Sequence, residues 1–384
     1  MRYLITLFFV LSLNQNLSQV EDEVETGRHR QIRAELSQLD DPIRGNLKDG
    51  ASRSNPNITP NIILMIGDGM GLTQISSGIY ANNNTTALES FEYIGLSKTH
   101  AFDKLVTDSA ASGTAMASGV KTLNGVVGID SKNNSPQSIL EICEKRGYNS
   151  ALIATSSIVH ATPASFYANV PSRRQYQDIA LQLSKHDVDL FIGGGKMHFN
   201  RRDDKRNLLE EMDQYQFVNS LAEIENSNSN KIGFFTYKDE PPSKLEGRKP
   251  ALEDMASTSL KKMKSLNKPF FMMIEGSQID WGGHANDLDY VISEFKEFDS
   301  TIQRVLDFAK ADGNTLVIVT ADHETGGLNL SGGSIRRGIV KGAFGTKGHS
   351  AALVPVFSYG PNSELFKGIY ENTAIFDKML KSLD

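Results

Sequence analysis

The sequence predicts an α/β fold in which a large, mostly parallel central sheet lies between two layers of helices. Continuous apolar runs, typical of strands buried on both faces, recur at Ile62–Ile66, Ala151–Thr155, Val188–Ile192, Phe270–Ile274 and Leu316–Thr320. Stretches suited to helices lie between them, at Leu72–Tyr80, Ser135–Arg146, Arg174–Ser184, Ala251–Leu266 and Asp289–Ala311. Strands that alternate with helices in this way predict a three-layer α/β/α sandwich.

The composition is that of a globular protein, because 39% of the 384 residues are hydrophobic and 22% are charged. Cys143 is the single cysteine, which excludes an internal disulfide framework and a cysteine-rich zinc module. The 46 acidic and 40 basic residues give a net charge of −6. This balance predicts no nucleic-acid-specific binding, but it leaves open a small phosphate substrate in a locally positive site.

The start of the chain has the pattern of a secretory signal peptide, with Arg2, the apolar run Leu4–Leu13 and then polar residues. We predict a signal peptide over 1–18 without a defined cleavage position, a polar linker over 19–57, and a folded domain over 58–384 with an insertion around 196–250. A disordered or buried N-terminus is the alternative. The apolar run is too short to span a bilayer and the C-terminus is charged, so no membrane span or lipid anchor is expected. The predicted localisation is secreted or periplasmic.

Acidic and histidine residues follow the ends of predicted strands. They are Asp68, Glu275, Asp280, Asp322 and His323. Functional groups of parallel sheets gather at the carboxyl ends of the strands, so we expect these side chains to lie close together. A carboxylate buried there is costly unless it is paired or bound to a metal ion.

Two further histidines fit the same centre. Asp280 and His284 are four residues apart, so one helical turn brings both to one ion, and His349 lies in a glycine-rich loop. Imidazole and carboxylate ligands without a thiolate suit zinc. Taken alone, each residue also fits a hydrogen-bonded core residue or a surface charge; taken together, they predict a metal centre.

Ser109 lies in a run of small residues, Val106–Thr114, and is predicted to begin a helix that reaches about Ser118. Free backbone N–H groups and the positive end of the helix dipole favour an anion at such a position. The alternative is that Ser109 or Asp108 only caps the helix. No Gly-x-Ser-x-Gly turn surrounds the serine, so metal coordination is a better route to an activated hydroxyl than a catalytic triad.

Six segments together resemble the alkaline phosphatases, which are metal-dependent phosphomonoesterases, and the match runs from about residue 58 to the C-terminus. The segments are Gly67–Gly71, Val106–Thr114, His160–Ala164, Glu275–His284, Thr320–Gly327 and Gly348–His349. The resemblance implies that 58–384 is a catalytic domain and that the protein is a homodimer. It also implies hydrolysis of small phosphate monoesters through a phosphoserine, with two zinc ions, one magnesium ion and an alkaline pH optimum.

The resemblance also implies a role for each matching residue. The implied ligands are Asp280, His284 and His349 for a first zinc ion, Asp68, Asp322 and His323 for a second, and Asp68, Thr162 and Glu275 for magnesium. Ser109 would be the nucleophile, and Arg173 would bind the phosphate together with it. The alternative for Arg173 is a surface charge at a helix start, with Arg174 as the competing candidate.

Two positions near the site depart from the family pattern. Relatives carry an acid or a histidine at the position of His160, so either magnesium or zinc fits the third site. Trp281 stands where relatives often carry a basic side chain, so we predict a weaker hold on phosphate. Only 25 residues separate His323 from His349, which indicates a reduced insertion at any dimer interface.

Two other functions fit part of the pattern. A phosphodiesterase or phosphonate hydrolase of the same superfamily shares the two-zinc core, but such enzymes generally lack the third site and this arginine. A secreted metal- or phosphate-binding protein without turnover would not need Ser109. Thr162, Glu275 and Arg173 together favour the monoesterase.

Overall fold

A computed structural model describes residues 59–384, so the predicted signal peptide over 1–18 and the linker over 19–57 lie outside the described residues. The strands are β1 (Asn61–Gly67), β2 (Tyr93–Lys98), β3 (Asn149–Ser157), β4 (Leu190–Gly194), β5 (Gln216–Val218), β6 (Ile232–Phe235), β7 (Phe270–Gly276), β8 (Thr315–Thr320), β9 (Glu324–Thr325), β10 (Leu328–Ser334), β11 (Ile339–Phe344), β12 (His349–Ser350), β13 (Val354–Tyr359) and β14 (Gly368–Glu371). The helices are α1 (Leu72–Ala81), α2 (Ser109–Ser118), α3 (Ile139–Lys145), α4 (Ala161–Ala164), α5 (Tyr176–Leu183), α6 (Met197–Asn200), α7 (Leu208–Glu211), α8 (Leu221–Asn226), α9 (Leu252–Ser265), α10 (Gln278–Ala285), α11 (Leu288–Asp312) and α12 (Thr373–Ser382).

The central sheet has ten strands in the order β14-β2-β13-β8-β1-β7-β3-β4-β6-β5. Strand β13 runs antiparallel to both of its neighbours, and the other pairs are parallel. The five apolar runs in the sequence form the five adjacent strands β8, β1, β7, β3 and β4. The mostly parallel sheet is therefore confirmed, and its centre is the part that the sequence predicted.

Helices cover both faces of the sheet, which confirms the three-layer architecture. The side chains of Ile62 and Leu64 on β1 are fully buried on one face, against residues of α2, α3, α5 and α12. The alternate side chains, Ile63 and Met65, are equally buried on the other face, against α1, α9 and α11. Within residues 59–384, no helix is both long and apolar enough to cross a membrane.

The segment 196–250 was predicted to be an insertion with loops, and it also contains helices and two strands of the central sheet. It contains α6, α7 and α8, and its strands β6 and β5 extend the sheet beyond β4. The irregular end of this segment is fixed by Arg248, whose buried guanidinium is hydrogen-bonded to Glu294 and Glu297 of α11. The domain limits themselves stay predictions.

The register of the central strands brings their carboxyl ends to one level. Ile66 on β1 is aligned with Glu275 on β7 and with Thr320 on β8. Ala154 on β3 is aligned with Glu275 as well. The residues that follow β1, β3, β7 and β8 therefore leave the sheet side by side, and the candidate site lies there.

Candidate active site

Ser109 is the first residue of α2, as predicted, and it is almost fully buried. The cap is Asp108, whose carboxylate accepts a hydrogen bond from the backbone N–H of Ala111 at 3.0 Å. The Ser109 hydroxyl is therefore not used as a cap. Its Oγ lies 3.3 Å from Nε2 of His323 and faces the acidic cluster.

Arg173 lies beside the serine rather than on the open surface. Its Nη1 donates to Asp108 Oδ2 at 3.0 Å, and its Nη2 lies 3.3 Å from Nε2 of His160. Burial opposes the charge, but the neighbouring Asp108 carboxylate raises the pKa of Arg173 above its usual value. Arg174 lines the same cavity but is exposed, so Arg173 is the arginine held towards Ser109.

A cavity of about 420 Å³, here called the serine cavity, opens above these residues. It is lined by Asp108, Ser109, His160, Arg173, Arg174, Tyr176, Asp280, Trp281, His284 and His349. Its size falls in the usual range of small-ligand sites.

Asp280, His284 and His349 converge at one edge of the serine cavity. Nε2 of His284 lies 3.3 Å from Asp280 Oδ2 and 3.1 Å from Nε2 of His349. The Nδ1 atoms of the two rings lie 2.6 Å from the carbonyl of Lys347 and 2.8 Å from that of Thr107. This arrangement leaves both Nε2 atoms directed at the same point, as in histidines that bind a metal ion.

Asp68, Asp322 and His323 form a second group, fully buried at the ends of β1 and β8. Nε2 of His323 lies 3.6 Å from Asp68 Oδ1 and 3.1 Å from Asp322 Oδ2. The backbone N–H of Gly69 donates to Asp322 Oδ1 at 3.1 Å and fixes the carboxylate. His323 also has ligand atoms close enough to join Asp280 and His349, so the two groups are contiguous.

Asp68 is shared with a third group, which contains His160 and Glu275. The family resemblance assigned Thr162 to this site and left open whether His160 binds the ion directly or through water. In the structure, the ligand atoms of His160 lie within 4.8 Å of those of Asp68 and Glu275. Thr162 is buried at the start of the short helix α4, in the same region.

These groups have the unsatisfied oxygens expected of a cation site. Both carboxylate oxygens of Asp68 are buried without a hydrogen-bond partner, as are Glu275 Oε1 and Thr162 Oγ1, while Asp322 Oδ2 lies 3.1 Å from Nε2 of His323. Buried acceptors are normally satisfied, and leaving several acidic ones unsatisfied is costly. The donor set of carboxylates, imidazoles and one hydroxyl therefore fits divalent cations such as zinc and magnesium.

The shifted pKa values of these groups also fit a cation site. Burial, followed by the nearby carboxylate of Asp322, raises the pKa of Asp68 well above its usual value. Burial raises the pKa of Glu275 to about 8. Burial and the positive charge of Arg173 lower the pKa of His160 to about 3, so this ring is neutral and able to donate a lone pair.

Trp281 follows Asp280 on α10 and lines the serine cavity, as its position in the sequence predicts. Its ring packs edge-on against His160, with 6.0 Å between the ring centroids. The indole brings no positive charge to the cavity. Its effect on phosphate affinity stays a prediction.

Two residues beside the ligands were not singled out in the sequence. Thr325 Oγ1 is hydrogen-bonded to Asp280 Oδ1 and lies 3.2 Å from Nδ1 of His323, so it connects the first two groups. Glu324 connects the segments that carry them. Both lie in the Thr320–Gly327 segment, so their place beside Asp322 and His323 was the only available signal.

Glu324 is buried, and its carboxylate joins three parts of the chain. Oε1 accepts from Gln74 Nε2 of α1 at 2.6 Å, and Oε2 accepts from the hydroxyl of Ser350, the residue after His349. It also accepts from two backbone N–H groups in the turn after β9. A Cβ atom on Gly71 would lie 2.4 Å from Glu324 Cγ, which explains the last glycine of the Gly67–Gly71 segment.

Comparison with known proteins identifies similar chains. The family model for alkaline phosphatase matches residues 59–343. Alkaline phosphatase 3 of Bacillus subtilis (strain 168) is 32% identical, in an alignment that covers 86% of this chain and 90% of that protein. Alkaline phosphatase 4 of the same organism is 35% identical, with coverage of 84% and 74%.

Comparison with solved structures also identifies alkaline phosphatases as similar chains. The alkaline phosphatase of the Antarctic bacterium TAB5 superposes with a TM-score of 0.81 at 43% identity, covering 85% of this chain and 98% of that chain. Two variants of that enzyme, in which one histidine is replaced by glutamate or by aspartate, are described with magnesium bound in the M3 site.

Proposed function

This chain belongs to the alkaline phosphatase family, and on that premise we propose that it hydrolyses phosphate monoesters through a phosphoserine formed on Ser109. Phosphomonoester hydrolysis is the activity that the family and the fold support. The observation that carries the proposal for Ser109 is its position at the start of α2, with its hydroxyl 3.3 Å from His323 and not used as a cap.

The chain's own residues divide the work of the reaction. Ser109 Oγ attacks phosphorus, the ester oxygen leaves with the alcohol, and the phosphoryl group stays on the serine. Water then attacks the phosphoserine and releases inorganic phosphate, which restores the hydroxyl. Arg173, held by Asp108, binds two non-bridging oxygens, and the first turn of α2 adds its positive dipole.

We propose that Asp280, His284 and His349 hold one zinc ion and that Asp68, Asp322 and His323 hold another. The unsatisfied buried oxygens of Asp68 and the approach of His323 Nε2 to Asp322 Oδ2 support this assignment. When bound, the ions supply the positive charge that stabilises the attacking and leaving oxygens and lowers the pKa of a coordinated hydroxyl. Activity is expected to rise towards alkaline pH, because ligands and nucleophile act deprotonated.

The third site is proposed to hold magnesium through Asp68, Thr162 and Glu275, with zinc as the alternative. His160 bears on this choice, because an imidazole favours zinc over magnesium. The magnesium-bound variants of the TAB5 enzyme carry a carboxylate in place of a histidine. They support the idea that a histidine near such a site shifts the preference away from magnesium.

Three properties of the whole protein belong to the proposal. We propose that the chain is exported, to the periplasm or the medium, because its first residues resemble a signal peptide. We also propose that the protein is a homodimer, as the family resemblance implies. Its substrates are small phosphate monoesters, and the net charge of −6 argues against nucleic acid as a specific partner.

The Ser109→Ala variant tests the covalent mechanism. We expect a fall in kcat of roughly three or more orders of magnitude, with unchanged metal content, because the nucleophile is lost and the ligands remain. Mass spectrometry of acid-quenched wild-type enzyme should detect phosphate on Ser109. Full activity in the variant would exclude the phosphoserine, and equal rates on aryl phosphate diesters and monoesters would favour the phosphodiesterase alternative.

A further inference from the structure

A second cavity of about 730 Å³, here called the side cavity, adjoins the serine cavity. The two cavities share Asp108, His284 and His349 in their walls. A molecule that reacts at Ser109 can therefore extend into the side cavity past the two histidines. Its volume is within the range of sites that bind small organic molecules.

The wall of the side cavity is apolar and accessible. Leu105 is 75% exposed, Leu123 is 44% exposed and Val106 is 39% exposed, and all three line the cavity. Clustered exposed side chains of this size mark binding surfaces more often than isolated ones do. The charged residues Asp103 and Lys104 also line it, with opposite signs, and the carboxylate of Asp108 is paired with Arg173.

The apolar wall is fixed relative to the reacting serine. Asn124 donates to the carbonyl of Val106 at 3.0 Å and accepts from the N–H of Asp108 at 3.1 Å. The carbonyl of Thr107, between them, lies 2.8 Å from Nδ1 of His349. A wall held in this way loses little conformational entropy when a ligand covers it.

We propose that the side cavity binds the apolar alcohol group of the substrate, so that the enzyme prefers phosphate monoesters of apolar alcohols. This inference rests on the proposed function. Because His284 and His349 border both cavities, the alcohol group of an ester whose phosphate lies at Ser109 has a direct path into the side cavity. An alkyl or aryl group attached to the ester oxygen would cover Leu105 and Leu123 and remove apolar surface from water.

The test compares n-hexyl phosphate with ethyl phosphate, because their leaving alcohols have the same chemistry and differ only in apolar length. We expect wild-type kcat/KM to be about tenfold higher for the hexyl ester. In the double variant Leu105→Ser, Leu123→Ser the ratio should fall towards one, with the ethyl ester unaffected. Leu245→Ser is the matched control, because Leu245 is 58% exposed and lines neither cavity.

Each outcome separates the two proposals. If the ratio of kcat/KM for the hexyl and ethyl esters is the same in wild type and in the double variant, the side cavity does not bind the alcohol group. The proposal of phosphomonoester hydrolysis is unaffected by that result. Absence of hydrolysis of either ester by the wild type overturns the proposed function, and the inference falls with it. Light scattering of the double variant tests whether the apolar wall is a subunit interface. A molar mass half that of the wild type, with an unchanged kcat/KM ratio, would show such an interface and overturn the inference as well.

Discussion

At the scale of single residues, the ligands depend on neighbours that bind no substrate. Glu324 and Ser350 face each other in the short antiparallel pair of β9 and β12, and the adjacent pair is Thr325 with His349. The carboxylate of Glu324 therefore fixes the position of His349 relative to His323. Residues that orient metal ligands commonly change metal affinity by 10- to 100-fold, in round numbers, when replaced.

The Glu324→Gln variant tests this role. The amide keeps the size of the side chain but offers one acceptor oxygen instead of two, so Ser350 or Gln74 loses its partner. We expect zinc affinity, measured by competition with a chelator, to fall by about 10-fold or more at the site that contains His349.

Asp299→Asn provides the control for general destabilisation. Asp299 is also a buried carboxylate, but it accepts hydrogen bonds from Thr86 and Ala87, outside the candidate site. Zinc affinity should stay at the wild-type value in this variant. Equal zinc affinity in Glu324→Gln and wild type would show that Glu324 does not position His349.

The residues of the candidate site were predictable to different degrees. The named ligands carry their own signal, because acids and histidines at strand ends are costly without a partner. Glu324 and Thr325 carry only the signal of their neighbours Asp322 and His323. The role of Glu324 depends on β9 pairing with β12, about 25 residues further along the chain, and that of Thr325 depends on its contact with Asp280 of α10. The approach of His160 to Asp68 and Glu275 likewise depends on three separate strand ends meeting.

At the scale of elements, the ends of the central strands create the site. Because these ends are buried, the stability of the metal-free protein is expected to depend on pH. Strand β7 ends with Glu275 fully buried, and burial raises the pKa of this carboxyl to about 8. In the metal-free protein, the folded state therefore holds a proton that the unfolded chain releases near pH 4.5.

Metal-free protein should lose stability as the pH rises from about 5 to about 8. Across this window the folded state binds more protons than the unfolded state at Glu275, so the free energy of unfolding falls, by an amount of the order of a few kcal/mol. Urea unfolding in the presence of a chelator measures it. Glu275→Gln should make the slope of this dependence smaller, with the raised pKa of Asp68 still contributing, and Glu210→Gln, at an exposed position, should leave the slope unchanged. Identical slopes in the two variants would contradict the account.

Some strands of the central sheet could be predicted from the sequence, and others could not. The five central strands are buried on both faces, so they read as continuous apolar runs. Strand β2 mixes buried and exposed residues, strand β14 at the edge has no buried residue, and β5 is only three residues long. Such short, half-polar strands are recognisable only once the sheet has formed.

At the scale of the whole molecule, residues from Asp68 to His349 converge on one end of the sheet. The site gathers the carboxylates of Asp68, Asp280, Asp322 and Glu275, and Asp108 holds Arg173 in the same cavity as Ser109. Excess buried negative charge of this kind is tolerated where cations bind. The family resemblance predicted which side chains take part, whereas the side cavity follows only from the way that separate loops are packed.

The direct test of the account is metal analysis of the purified protein, with hydrolysis measured before and after chelation. We predict two zinc ions and a third divalent ion per chain. Chelation should lower the hydrolysis of phosphate monoesters by roughly three or more orders of magnitude, and added zinc and magnesium should restore it. Full hydrolysis by protein shown to be free of divalent metal would contradict the account.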